Sequence, residues 1–154
     1  CFIEEINFFS KSQQVIGAGV MCPARIDKEI EEKVISISKT IIDNLKIENS
    51  AFMISFRNNK NYVFPMELHL DFGGDLVLDV LLPESINFDV IKFGIQVMAN
   101  NNFVSHQELD LKPTAVLFHP GNKLNSEREY EIVKSNSLTE LTKKINNKLK
   151  TIYD

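Results

Sequence analysis

The sequence is poor in cysteine, has no long apolar run and carries no excess of positive charge. Each shortfall removes a class of function. Two cysteines in 154 residues, Cys1 and Cys22, are too few for a disulfide scaffold or a cysteine-rich zinc site. A reducing, cytoplasmic setting is therefore the expectation. No apolar run reaches the roughly 20 residues that a spanning helix needs, and no signal-peptide pattern opens the chain. A net charge of −4 without a Lys/Arg cluster argues against a nucleic-acid surface. The nearest approach to one, KLNSEREYEIVK at 123–134, offsets its bases with acids. A GxxxxGK(S/T) phosphate loop, a GxGxxG turn between strand and helix, and a GxSxG nucleophile elbow are all missing. The first residue is Cys rather than Met, and CFIEEI already reads as strand, so a piece of a longer polypeptide is expected.

What is present is ordinary for a globular domain with a real core: 44% apolar and 25% charged residues. CFIEEINFFS and QQVIGAGVMCPARI read as two strands of a hairpin, with Gly17 and Gly19 permitting close backbone approach. Asp27 caps a helix whose stripe is Ile30, Val34, Ile37, Ile41 and Leu45, with acids favoured at its start. AFMISF and YVFPMELHLDF form the next pair of strands around a short turn, and Pro65 marks an edge or a bulge. DLVLDVLLPES suggests a short helix stopped near Pro83, and residues 88–99 a further helix. LKPTAVLFH is a strand closed by Pro120-Gly121, and EYEIVKS another. Ser137 and Glu140 form a capping box for a last helix with Leu138, Leu141, Ile145, Leu149 and Ile152 on its buried stripe. No repeat, low-complexity linker or composition break appears. The expectation is a single α+β domain over 1–154, its mainly antiparallel sheet packed against helices.

Most candidate chemistry fails on spacing. His106 and His119 show no ligand spacing and read as ordinary histidines. A Cys22–His119 nucleophile pair is open, but nothing local supports it. MELHLDFGGD, residues 66–75, is different. Met66, Leu68 and Leu70 alternate with Glu67, His69 and Asp71, and acids are poor strand formers. Same-face neighbours lie about 6–7 Å apart, so adjacent members could reach one metal ion. Carboxylates suit Mg2+ shared with phosphate oxygens, whereas imidazole suits Zn2+ better. Periodicity alone leaves open whether this face is surface or site.

The order of a helix over 27–47, AFMISF, a turn, YVFPMELHLDFGGD and further helices resembles the C-terminal half of an ATP-grasp domain. It is most similar to the branch containing carbamoyl-phosphate synthase and biotin carboxylase. The Pro-Ala pair of MCPARI and the closing strand and helix around SLTELTKKINNKL fit as well. By this resemblance Glu67 matches the family's metal-bridging glutamate, and His69 stands where a metal-binding asparagine is usual. Asp71 stands where a basic residue usually holds phosphate or substrate, and Ser55 where a first metal-binding acid would be. Gly73 and Gly74 would let backbone approach the ligand. Asp71 or Asp75 would supply the missing carboxylate in a rearranged site; otherwise catalysis has decayed.

The resemblance further implies Mg2+ and ATP, a small-molecule carboxylate, and upstream domains of the same chain. The family's ATP-gripping lysines and glycine-rich loop are not in this sequence. Glu4 and Glu5 echo its adenine-hinge glutamate but read better as the first core strand. The implied reaction makes an acylphosphate and passes it to an amine or thiol, which this chain would not accomplish alone. The alternatives are a decayed nucleotide-binding or scaffolding module, and an unrelated zinc-binding α+β domain centred on His69.

Overall fold

The structure is a computed structural model describing residues 1–59, 62–71, 73–74, 76–99, 110–120 and 129–153. Six strands and four α-helices follow in the order β1 (Glu4–Phe9), β2 (Val15–Cys22), α1 (Lys28–Leu45), β3 (Met53–Asn58), β4 (Val63–His69), α2 (Leu82–Ile86), α3 (Val90–Met98), β5 (Thr114–Phe118), β6 (Tyr130–Lys134) and α4 (Leu138–Tyr153). Every strand pair is antiparallel, which is the α+β class expected. The chain divides into two compact units, one of residues 1–25, 79–88 and 108–154, the other of 26–78 and 89–107.

The first unit is a four-stranded sheet in the order β1-β2-β5-β6. Its register sets Gly19 opposite Leu117, Met21 opposite Ala115, and Ala115 opposite Val133. One face therefore gathers Ile6, Met21, Ala115, Leu117 and Val133 against Leu141, Ile145 and Leu149 of α4. Burying each such side chain contributes about 1.5–3 kcal/mol. Ser137 caps α4, with Glu140 N–H donating to its Oγ at 3.2 Å, and the Glu140 carboxylate pairs with Lys144. The far end of α4 is held where Tyr153 stacks on Phe8 and donates its hydroxyl to the Phe118 carbonyl.

The opposite face carries Val20, Cys22, Thr114 and Val116, all buried. Here α2 is tied down: Lys112 N–H donates to the Ser85 carbonyl, Thr114 Oγ1 lies near the Glu84 carbonyl, and Lys134 pairs with Glu84. All five residues of β5 are buried, so after Thr114 the run AVLF is apolar without alternation. The helix stop expected near Pro83 is not found: the proline lies inside a helix. A single π-helical turn over Val77–Leu81 leads into α2, and Pro83 occupies the first turn of that helix. A proline there forfeits no intrahelical bond, because first-turn N–H groups have no partner anyway.

In the second unit Asp27 caps α1 through Ile30 N–H at 2.9 Å, as its position predicts. Lys46 in the left-handed region ends the helix, with Ile47 N–H donating to the Ile42 carbonyl. Leu45, expected on the buried stripe, is 59% exposed because it is the last helical residue. α1 packs against the β3–β4 hairpin, and α3 starts at Asp89, whose carboxylate accepts from Lys92 N–H. Among the described residues no helix is long and apolar enough to cross a membrane.

β2 meets β5 with no room to spare at Gly19. A Cβ there would lie 2.2 Å from the Val116 carbonyl oxygen, and the residue has φ +155. At Gly17 a Cβ would meet nothing within 4 Å. Gly19→Ala is expected to destabilise the protein by more than about 2 kcal/mol, since backbone must shift, and Gly17→Ala by less than about 1 kcal/mol. Urea denaturation of the two variants checks this, and equal midpoints would contradict it.

Candidate metal and nucleotide site

The hairpin register decides which side chains share a face. Ser55 pairs with Glu67 and Met53 with His69, two residues further along. Cross-strand partners project to the same side, and positions two apart return to it. Met53, Ser55, Glu67 and His69 therefore form one face, while Ile54 and Leu68 lie on the other, half-buried. The register skips Met66, so β4 bulges beside Pro65. That is where the missing N–H of a proline costs the ladder least.

On this face His69 Nε2 lies 3.2 Å from Glu67 Oε2, and Ser55 Oγ donates to Glu67 Oε1 at 3.3 Å. One carboxylate thus joins an imidazole on one oxygen and a hydroxyl on the other. Glu67 is 60% and His69 41% exposed at the side chain, so the group is open to a ligand.

Asp71 is not part of this group. The strand ends at His69, and Asp71 Oδ1 instead accepts from Gly73 N–H at 2.8 Å, a local turn typical of aspartate. Among the described residues no three His, Cys, Asp or Glu side chains stand together as a metal cage. The alternation that placed Met66, Leu68 and Leu70 on one face also fails at both ends. Met66 belongs to the bulge, Leu70 follows the strand, and each is 62% exposed. Asp75 and His106 lie outside the described residues.

The glycine pair has two characters. Gly73 has φ +84, and a Cβ on it would fall 2.8 Å from Met53 Sδ, so its backbone lies against the register partner of His69. A Cβ at Gly74 would meet nothing within 4 Å. The sequence reading missed Met53, whose role shows only once the register is known.

Elsewhere the chemistry tested from sequence disperses. Cys22 is buried opposite Thr114, five residues along β5 from His119, or about 16 Å at a strand's rise. The two do not form a nucleophile pair. Burial pushes the Cys22 thiol pKa up, which disfavours the thiolate. Glu4, the first residue of β1, is held by Arg25, which donates through its backbone N–H at 2.7 Å and through its guanidinium. That bonding raises the Arg25 pKa, outweighing burial, which acts to lower it. Glu4 is thus a strand-end latch, and opposite charges at the ends of a predicted hairpin were its only signal in the sequence.

No family model matches the chain, and neither does any curated protein. Among solved structures the fold is similar to phosphoribosylglycinamide synthetase from Anaerococcus prevotii, with TM-score 0.68 over 94% of this chain and 16% identity. The fold is of the ATP-grasp type. The chain spans less than half of that structure, 46% of its length.

Gly73→Ala is expected to cost about 1–2 kcal/mol, because an alanine must take a left-handed φ there. Gly74→Ala should leave the melting temperature unchanged. A thermal melt of each variant checks the difference, and an unaltered Gly73→Ala melt would show that the loop readily takes another conformation.

Proposed function

We propose that this chain is part of an ATP-grasp ligase of the carbamoyl-phosphate synthase and biotin carboxylase kind. In this reading the full-length protein uses Mg-ATP to convert a small-molecule carboxylate to an acylphosphate, which an amine or thiol then captures. The observation that carries it is the open Ser55–Glu67–His69 group near one end of a two-stranded hairpin in an ATP-grasp fold. ATP and the substrate carboxylate are the partners this implies, together with further domains of the same polypeptide that grip the nucleotide.

The donor set fits a divalent cation that arrives with nucleotide. One carboxylate is enough protein charge for Mg2+ when phosphate oxygens complete its shell. Glu67 would hold the ion, His69 would be its second protein contact, and Ser55 would orient the carboxylate through its hydroxyl. The ion, when bound, offsets phosphate charge. Gly74 would let backbone approach the phosphates, and Asp71 would act indirectly, by shaping the Gly73 turn.

A second reading is a non-catalytic nucleotide-binding or scaffolding module. It is favoured by one observation: the position facing Glu67 holds a hydroxyl, and no carboxylate among the described residues replaces it.

In the full-length protein, Glu67→Gln should lower Mg-ATP-dependent ADP release by at least about a hundredfold, with an unaltered melt. Unchanged turnover would remove Glu67 from the site. Titration calorimetry of the native protein with Mg-ATP, beside ADP release across a panel of carboxylic acids, separates the readings. Binding without release on any acid identifies the module.

A further inference from the structure

Nothing in the resemblance explains why an imidazole stands where an oxygen donor is usual, and the geometry there is specific. His69 turns Nε2, a potential ligand atom, to 3.2 Å from Glu67 Oε2. Two ligands at right angles on an octahedral ion, with bonds of about 2.1 Å, lie about 3.0 Å apart. The two atoms are thus already spaced as neighbours on one ion. Ser55 engages the other carboxylate oxygen, so Oε2 and Nε2 face each other as the pair a shared ion would enter between.

The cation follows from the donors. Mg2+ takes oxygen and gains little from imidazole, whereas transition-metal dications favour a nitrogen ligand. Mn2+ also accepts the octahedral oxygen shell that phosphates and water provide. A second acid facing Glu67 would have strengthened the claim of Mg2+; Ser55 supplies none. We infer that Glu67 and His69 make this a site for a nucleotide-borne transition-metal ion, Mn2+ in preference to Mg2+, with His69 as the residue that sets the preference. The inference rests on the nucleotide-site reading above. As an exposed contact, Glu67–His69 contributes little to stability, so its loss should appear in metal binding rather than in folding.

The test uses the full-length protein with ADP, titrated with Mn2+ and separately with Mg2+. Pulsed electron paramagnetic resonance of the Mn2+ complex reads the ligand directly. The native protein should favour Mn2+ at least tenfold beyond the ratio for free ADP and show nitrogen modulation from a bound imidazole. His69→Asn should lose the modulation and return the ratio to that of free ADP, and His69→Gln, with a thermal melt on each variant, guards against misfolding. If native protein and His69→Asn give the same ratio and neither shows nitrogen coupling, while Glu67→Gln loses the metal, the preference is overturned and the site reading survives. If Glu67→Gln binds Mn2+ as the native protein does, the site reading falls, and this inference with it. Stoichiometric zinc held without nucleotide would also overturn it.

Discussion

The register of β3 against β4 sets the face on which any chemistry here depends. Because side chains alternate with a period of two, a slip of one residue would send Glu67 and His69 to the other side of the ribbon. The bulge at Met66 absorbs one residue between the Phe56–Pro65 and Ser55–Glu67 pairs. Pro65 cannot donate to the ladder, so the irregularity falls beside the residue that already weakens pairing. With the bulge placed there, Ser55 stands opposite Glu67, and the carboxylate finds a hydroxyl partner. The same register puts Met53 beside His69 and lets the Gly73 backbone rest against its sulfur. One local irregularity thereby brings the donor pair and the glycine turn to the same end of the hairpin.

Stability is distributed unevenly between the units. The four-stranded sheet is buried on both faces at its centre, and most buried apolar side chains lie in that unit. Among the described residues of the second unit, the buried apolar side chains are Ile30 and Val77. Segments with few buried contacts open at lower free energy than the global transition. The hairpin bearing Glu67 and His69 belongs to that less buried unit, where binding a ligand has more conformational freedom to remove. Elements that close on ligands are commonly drawn from such regions.

Much of this architecture was legible from residue patterns, for reasons that differ by element. The α4 stripe and its Ser137 cap read correctly because a helix packed on one face must repeat every 3.6 residues. The first hairpin and the short β5 read correctly because apolar strands bounded by turn residues have few alternatives. Pro83 misled, since a proline marks the first turn of a helix as readily as its end. Leu45 misled because periodicity does not say which turn is the last. At the candidate site, the nearness of Glu67 to His69 follows from strand geometry. The departure of Asp71 does not, because it depends on the strand ending at His69 and on an aspartate bonding to its own turn. Sequence alternation continues past the point where pairing stops, so counting residues overextends the face.

Asp71 and His69 also bear differently on what such a site can hold. An aspartate two residues beyond His69 would have added a second acid if the strand had continued. Turned back onto Gly73, its carboxylate instead shapes the turn. Among the described residues the carboxylate on the face is that of Glu67, with an uncharged hydroxyl on one side and an imidazole on the other. A lone carboxylate cannot neutralise a dication, so under the proposed function further anionic oxygens would come from the phosphates of the nucleotide. The same arithmetic makes a preformed all-protein cage unsuitable here and a shared, ligand-completed site suitable. It also gives the imidazole its weight in the inferred preference: with so few protein donors, one nitrogen would be enough to change which ion such a site favours.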